Sequence, residues 1–198
     1  MQYPAEAESA SGSEPADDTA PSALQELVLE LERHSAEQGW DQPIGLYALV
    51  ETADLVQREP HVAELLGITE PVAADAITPV EQDPLPSDQP LEEVLGRLAW
   101  PEAVVGCAMV MERLVTRGSD ETLDPTTAPL DADTDTSEAA NREEIRMVAG
   151  VLRDGSVHCA LRMRSHDSGD AVLSGSDLIP GLTSALALTL EEDQPNEN

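Results

Sequence analysis

The sequence contains no lysine and no phenylalanine, and its ten basic residues are all arginines. The missing lysine excludes several kinds of chemistry at once. A P-loop nucleotide site needs its lysine, and a pyridoxal enzyme needs a lysine for the Schiff base. The motifs G-x-S-x-G, G-x-G-x-x-G and H-E-x-x-H are absent too. The sequence therefore lacks the common signatures of serine hydrolases, dinucleotide-binding enzymes and zinc proteases.

Basic residues are few, since 40 Asp and Glu stand against 10 arginines and give a net charge of -30 over 198 residues. Such a charge repels phosphate backbones, so we expect no binding to nucleic acid. A polybasic segment for anionic membranes is absent as well, so we expect no membrane contact. The acidity has two explanations at this stage: a specific role, or adaptation to salt or to a GC-rich genome.

The chain has only two cysteines, Cys107 and Cys159, which is too few for a disulfide scaffold and fits a reducing cytoplasm. Residues 1–6 lack the basic start and the apolar run of a signal peptide. The longest apolar run, Ala103–Met111, is about half as long as a membrane span. We therefore expect a soluble cytoplasmic protein.

Three acidic segments show no apolar periodicity and are expected to lie outside the folded core. We predict a disordered tail at 1–21, a disordered insertion at 118–141 and an acidic tail at 191–198. A single domain then spans 22–190, which is long enough to bury a core of its own.

The first half of this domain has the pattern of helices. Ser22 and Gln25 form an S-x-x-Q capping box, and apolar residues at helical spacing follow as far as Gly39. A second helix is predicted from Asp41-Gln42-Pro43 onwards, with Leu46, Leu49, Val50, Ala53 and Val56 on its apolar face. Short helices are predicted at 61–66 and 91–98. Between them, 77–80 is predicted as an edge strand because it contains a proline.

The second half has the pattern of strands. Residues 103–115 are apolar on both faces as far as Met111, which predicts a central strand covered on both sides. Two apolar runs flank Asp154-Gly155, the strongest short hairpin signal, and predict a two-residue type I′ turn. A last helix is predicted from about 177 to 190.

These elements predict an α+β fold. It consists of N-terminal helices, an antiparallel sheet of three to four strands with an Asp-Gly hairpin, and a C-terminal helix packed on the sheet.

The predicted two-residue turn also sets the register of the hairpin, with Val148 opposite Leu161. In that register one face of the hairpin combines arginines with apolar side chains. This face is too apolar for free exposure and too charged for a sealed core, and arginine forks suit carboxylates. The alternative is that these arginines pair with the protein's own acids. The candidate partner-binding residues are Arg162, Arg164, His158, Met147 and Ile145.

No catalytic residue, metal site or cofactor is predicted. Ser165-His166-Asp167 contains the residue types of a catalytic triad, but triad members meet through folding and not as neighbours in sequence. Cys107 and Cys159 are interpreted as buried thiols, because the sequence has no C-x-x-C motif and its histidines have no ligand spacing.

Several motifs are similar to those of a known family. They are Gly39-Trp40-Asp41-Gln42-Pro43, the run LYALVETA at 46–53, Leu98-Ala99-Trp100-Pro101 leading to Gly106-Cys107-Ala108, and VLRDGSVHCALRMRSH at 151–166. Together they resemble an uncharacterised family of small acidic actinobacterial proteins, over roughly 22–190. The resemblance implies a bacterial cytoplasmic setting and carries over no activity and no catalytic residue.

Three functions remain open at this stage. The first is a non-enzymatic protein-binding or adaptor module that uses the mixed apolar–arginine face. The second is an acidic mimic that blocks a basic site on a nucleic-acid-binding partner, using the acids of residues 24–93. The third is a small enzyme of unrecognised type, which would require a deep pocket with convergent polar groups. The partner and the oligomeric state are left open.

Overall fold

The computed structural model describes residues 21–68, 72–86, 88–116, 142–168, 171–176 and 178–191. The predicted acidic segments at 1–21, 118–141 and 191–198 fall outside these residues, except for Pro21 and Glu191. The described elements are α1 (Ala23–Gln38), β1 (Gly45–Glu51), α2 (Thr52–Arg58), α3 (Pro60–Leu65), β2 (Ile77–Glu81), α4 (Leu91–Leu95), β3 (Val104–Thr116), β4 (Arg142–Leu152), β5 (Val157–Met163), a 3-10 turn (Arg164–His166), β6 (Val172–Gly175) and α5 (Pro180–Leu190).

The strands form one antiparallel sheet in the order β2-β1-β3-β4-β5-β6. The predicted α+β class and the C-terminal helix are confirmed. The predicted count of three to four strands is wrong, because the described residues contain six. Strand β2, which contains Pro79, lies at one edge of the sheet, where a missing N–H costs no ladder hydrogen bond.

One of the additional strands, β1, replaces the helix that was predicted to begin near Asp41. Its side chains alternate between the two faces of the sheet: Leu46 packs in the core on one side and Leu49 in the core on the other. A short run that is apolar on both faces has the composition of a buried strand and of a buried helix alike, so periodicity alone does not separate them. The helix begins only at Thr52.

The hairpin between β4 and β5 differs from its prediction by one residue. Gly155 N–H donates to the Leu152 carbonyl at 3.0 Å, and Leu152 N–H donates to the Ser156 carbonyl at 2.9 Å. Gly155 has a φ of 88°, whereas Asp154 has no positive φ. The loop therefore has three residues, a type I pattern followed by a left-handed glycine, and not the two-residue type I′ turn.

The added loop residue shifts every pair of the hairpin, so that Val148 lies opposite Ala160 and not opposite Leu161. Because side chains alternate between faces, a slip of one residue moves a strand's apolar set to the other side of the sheet.

Helices cover both faces of the sheet. Helix α1 packs on a face that includes Leu49, Val110 and Val148, and α4 and α5 pack on the opposite face. Strand β3 contributes Ala108 and Val110 to the first core and Cys107, Met109 and Met111 to the second. The prediction of a central strand with both faces covered is confirmed.

Helix α1 begins as its capping box predicts and lies directly on the sheet. Gln25 N–H donates to Ser22 Oγ at 3.2 Å. Its Leu24 and Val28 side chains rest on Gly150 of β4, where an added Cβ would lie 2.8 Å from Val28 Cγ2. The glycine therefore sets how closely the helix approaches the strand.

Candidate functional site

The structure divides four of the five candidate partner-binding residues between the two faces of the sheet, and the fifth, Arg164, lies in the 3-10 turn after β5. Arg162 and His158 of β5 lie on the side of helix α1, opposite Arg146 and Gly150 of β4. Met147 and Ile145 belong to the core beneath α5 on the other side, where they are 3% and 4% exposed. The expectation of one common surface is wrong, and its cause is the shifted register of the hairpin.

The alternative for Arg162, pairing with the protein's own acids, is what the structure shows. Its guanidinium forms a two-point ion pair with Glu32 of α1, with Nε–Oε1 at 2.5 Å and Nη2–Oε2 at 2.7 Å. Both side chains are almost completely buried. Hydrogen bonding to Glu32 raises the pKa of Arg162 above its usual value. The pair therefore attaches helix α1 to strand β5 by a fork geometry that suits a carboxylate.

Glu32 is not among the residues singled out from the sequence, although it carries a readable signal. It follows Val28 by four residues and so lies on the apolar stripe of α1. A carboxylate at such a position is rarely buried without a partner, and the partner has to be a cation. An inward-facing arginine on a neighbouring strand is the complement that the pattern predicts.

A second buried pair lies next to the first. Arg146 of β4 donates from Nη2 to Glu112 of β3 at 2.8 Å and also to the carbonyl of Gly39. Its guanidinium carbon lies 4.4 Å from the centre of the Trp40 ring. Glu112 in turn accepts from the backbone N–H of Asp41 at 2.7 Å. This pair therefore holds the loop after α1 on the sheet.

Arg164 completes the surroundings of Trp40 at the protein surface. It makes a two-point contact with Asp41 at 3.1 and 3.3 Å and an ion pair with Glu144 at 2.5 Å. These carboxylates raise the pKa of Arg164. Its guanidinium carbon lies 5.5 Å from the Trp40 ring centre. The exposed guanidinium is therefore already bound by two carboxylates of the same chain.

Trp40 also connects this cluster to the loop after β5. Its indole N–H donates to Asp167 Oδ2 at 2.9 Å, and Asp167 Oδ1 lies 3.5 Å from Arg162. We call this set the Trp40 cluster, and its members are Glu32, Trp40, Asp41, Glu112, Glu144, Arg146, Arg162, Arg164 and Asp167. Its opposite charges meet each other, so the arrangement positions α1 and offers no free acid–base pair.

One nitrogen of the buried Arg146 guanidinium makes no hydrogen bond to any residue that the structure describes. Arg146 Nη1 is buried without a hydrogen-bond partner among the described residues, as is Nε of Arg113. The other Arg146 nitrogens are satisfied by Glu112 and Gly39. Because Arg146 is fully buried, this N–H is closed off from surface ligands.

Ser165, His166 and Asp167 do not form a catalytic triad. The Ser165 hydroxyl donates to Glu143 Oε2 at 2.8 Å, and its oxygen also lies 2.8 Å from His166 Nδ1. Asp167 is engaged by Trp40 and Arg162 and does not orient His166. In a catalytic triad the serine hydroxyl donates to the histidine and the aspartate accepts from that histidine, whereas here the Ser165 hydroxyl donates to a carboxylate.

The two cysteines are buried, as predicted. Burial raises the pKa of the Cys107 thiol to about 11, partly offset by a contact with Thr189. Its sulfur lies 3.7 Å from Thr189 Oγ1 and from the Leu186 carbonyl. A buried protonated thiol of this kind is a packing group and a poor nucleophile.

A shallow cleft lies away from the Trp40 cluster, between the start of α2 and the start of β3. It has a volume of about 290 Å³. Its lining is mainly acidic and contains one ion pair, between Arg58 and Asp54 at 3.2 Å. The lining residues are Glu51, Asp54, Arg58, Glu102, Ala103 and Val105.

Within the described part of the chain, no group of three or more His, Cys, Asp or Glu side chains is placed to hold a metal ion. None of the helices described here combines the length and the apolar character that crossing a bilayer requires.

The fold defines the class of protein: an α+β domain whose antiparallel sheet is covered by helices on both faces and carries a buried arginine–carboxylate cluster. The chain belongs to the PPA1309-like protein family, whose model matches residues 24–191. This confirms the resemblance to an uncharacterised family, while its actinobacterial origin and acidity stay predictions. No curated protein and no solved structure matches the chain.

Proposed function

We propose that this protein is a non-enzymatic, cytoplasmic binding module that recognises a basic protein partner through its surface carboxylates. In this role it would occupy the basic site of a nucleic-acid-binding protein, as an acidic mimic of the phosphate backbone. This is the second of the three functions that the sequence left open.

One observation carries the proposal: the protein uses most of its arginines internally. Among the described residues, at least six arginines each lie within 4.0 Å of a carboxylate of the same chain, and Arg153 donates to backbone carbonyls, among them those of Val104 and Leu190. The six are Arg33, Arg58, Arg97, Arg146, Arg162 and Arg164. With its cations engaged, the molecule presents a field dominated by negative charge.

Many carboxylates, by contrast, point to solvent without a cation. The exposed side chains of Glu51, Glu59, Glu81 and Glu102 have no ion-pair partner among the described residues. A surface of this kind attracts a basic partner over a distance of about 10 Å at moderate salt and raises the association rate. The same negative surface repels nucleic acid itself. It complements the basic site of a protein that binds nucleic acid, which is why such a protein is the proposed target.

The first function, binding through a mixed apolar–arginine face of the sheet, requires a face that is accessible to a partner. Helix α1 already covers that face, and Arg162 is 5% exposed beneath it. A partner would have to displace α1 to reach the arginine. The proposed module therefore uses the acidic exterior and not the sheet.

The test is capture on the full chain, immobilised and offered nuclease-treated extract of the native cell at low salt. We expect a basic nucleic-acid-binding protein to be retained and to elute early in a salt gradient, because exposed charge pairs are screened by salt. The purified partner should then release labelled DNA or RNA when this protein is added.

The control for this experiment is a variant that changes exposed apolar surface and no charge. Leu114→Ser fits, since Leu114 is 53% exposed, and we expect its elution profile to match that of the unmodified chain. A variant with Glu51→Gln, Glu81→Gln and Glu102→Gln should elute at lower salt. The proposal would be contradicted if the salt concentration did not affect retention of the captured partner. It would also be contradicted if the partner kept its nucleic acid when this protein was added.

A further inference from the structure

Helices α2 and α3 form an excursion between strands β1 and β2 that buries very little of itself. Within the two helices only Thr52 and Ala63 are buried. Leu65 is 80% exposed and Leu66, directly after it, is 49% exposed. The two leucines are neighbours in sequence at the end of a helix pair, and clustered exposed apolar side chains mark contact surfaces on proteins.

This leucine pair differs from the other large apolar side chains that are exposed in the described chain. Those residues occur singly, on β3, β6 and α5. They are Leu114, Leu173 and Leu188. Singly exposed leucines are ordinary on protein surfaces, whereas a contiguous pair at a helix end is not.

Two exposed carboxylates belong to helix α3 and its N-cap. Glu59 directly precedes α3 and Glu64 lies in its last turn, next to Leu65 in sequence; the His61 imidazole lies 3.9 Å from the Glu64 carboxylate. Helix α2 packs against α3 and leads to the cleft, where Asp54 is paired with Arg58 while Glu51 and Glu102 have no cation among the described residues. The surface thus combines an apolar tip with an acidic border, and we call it the α2–α3 surface (residues 51–68).

The charge of the surface selects its occupant. The parts of this chain outside the described residues are themselves strongly acidic, so they would meet like charge at Glu59 and Glu64. A second copy would bring the same carboxylates and a net charge of -30 to the contact. A cationic ligand with an apolar side is the chemistry that satisfies both the leucines and the acids.

We infer that the α2–α3 surface is the docking site for a basic amphipathic helix of the partner protein. This inference rests on the proposed function and adds where the partner binds and through which kind of segment. The apolar side of the partner helix covers Leu65 and Leu66, and its Lys or Arg side chains face Glu59, Glu64 and the cleft. The leucines supply affinity, and the carboxylates supply orientation and association rate.

The experiment measures binding of a fluorescent synthetic amphipathic helix, made of Leu and Lys, to the full chain. A scrambled peptide of the same composition, which has the charge without an apolar face, is the matched probe. We expect the amphipathic peptide to bind roughly tenfold more tightly than the scrambled one. The variant Leu65→Ser with Leu66→Ser should remove this difference, because it removes the apolar contact.

The control variant is Leu173→Ser with Leu188→Ser, which removes two other exposed leucines, 54% and 65% exposed, and should leave binding unchanged. We expect both variants to fold, because all four side chains are about half exposed or more. Their melting temperatures check this. Light scattering on the unmodified chain reports self-association.

Each other outcome has a defined meaning. Equal, salt-sensitive binding of both peptides overturns the docking site and leaves the proposed function intact. Binding of neither peptide counts against both. A dimer that Leu65→Ser with Leu66→Ser dissociates overturns the docking site in favour of a second copy. Equal losses in the test and control variants overturn it as well.

Discussion

Glu32 on helix α1 and Arg162 on strand β5 are 130 residues apart and meet in the protein interior through two hydrogen-bonded ion-pair contacts. The carboxylate is 2% exposed and the guanidinium side chain is 6% exposed. Each charge is tolerated in the core because the other is there, which makes this pair a condition for docking α1 on the sheet.

Glu32→Ala is expected to lower the free energy of unfolding by about 3–5 kcal/mol, because it leaves Arg162 charged and buried. Urea unfolding followed by circular dichroism measures the loss. Replacing both partners, Glu32→Leu with Arg162→Met, should cost much less, since no charge then remains in the core.

The matched control lies on the same helix. Glu30 forms an exposed ion pair with Arg33, so Glu30→Ala should cost less than about 1 kcal/mol. Losses of equal size at Glu30 and Glu32 would show that the buried pair has no special role.

Gly150→Ala tests the contact between α1 and β4. The added Cβ would lie 2.8 Å from Val28 Cγ2 and 3.0 Å from Leu24 Cδ1, so these side chains or the helix that carries them have to shift. We expect a loss of about 1–3 kcal/mol in unfolding free energy, measured by urea titration. Adding Val28→Ala should recover part of that loss.

Gly175→Ala is the control for this substitution, because its Cβ would meet Leu178 no closer than 3.6 Å. A neutral Gly150→Ala would mean that α1 does not rest on this strand as closely as the structure shows.

Gly155→Val tests the three-residue hairpin loop. The glycine has a φ of 88°, and nothing lies within 4 Å of a Cβ built there, so only the backbone opposes a side chain. A β-branched residue should cost more than about 1 kcal/mol in thermal unfolding. Gly155→Asn should cost less, because asparagine enters the left-handed region more readily. Equal stability of the valine variant and the parent would contradict the left-handed geometry.

Cys107 predicts how stability changes at alkaline pH. Burial raises the pKa of its thiol in the folded protein from 9.0 to about 11. Above pH 9 the unfolded chain therefore loses the thiol proton before the folded chain does. The contribution of the protonated thiol to the free energy of unfolding is therefore present below pH 9 and is lost as the pH rises towards 11. Urea midpoints across this range measure the loss.

Cys107→Ala should flatten this alkaline loss. Tyr47, whose pKa is also raised by burial, adds a loss of the same sign, so Tyr47→Phe is the parallel control. Rapid labelling of Cys107 in the native protein at pH 8 would contradict a buried protonated thiol.

Some features could be read from local sequence because local chemistry decides them. Ser22 caps α1, Pro79 confines β2 to an edge, and the apolar part of β3 at 104–111 lies between two layers of helices. In each case the decisive group is within a few residues of the feature: a hydroxyl near free N–H groups, a missing N–H, or side chains that are apolar on both faces.

The register of the β4–β5 hairpin could not be read in this way. Asp154-Gly155 is compatible with a two-residue and with a three-residue loop, and both place two apolar runs side by side. The choice between them decides the face of Met147 and Ile145, and that choice is made by the cores on either side of the sheet. The predicted binding face was based on the two-residue loop, so its two residues from β4, Met147 and Ile145, were assigned to the wrong side of the sheet.

The sequence by itself determined the α+β class, the first and last helices, the central strand and the negative field of the molecule, since each follows from composition or from short-range spacing. Only the tertiary structure decided which carboxylate meets which arginine. Ion pairs such as Glu32–Arg162 join residues far apart in the chain, and a charge becomes a buried one only when packing removes water from it. The same packing left Leu65 and Leu66 in solvent, although their side chains are no less apolar than those in the core.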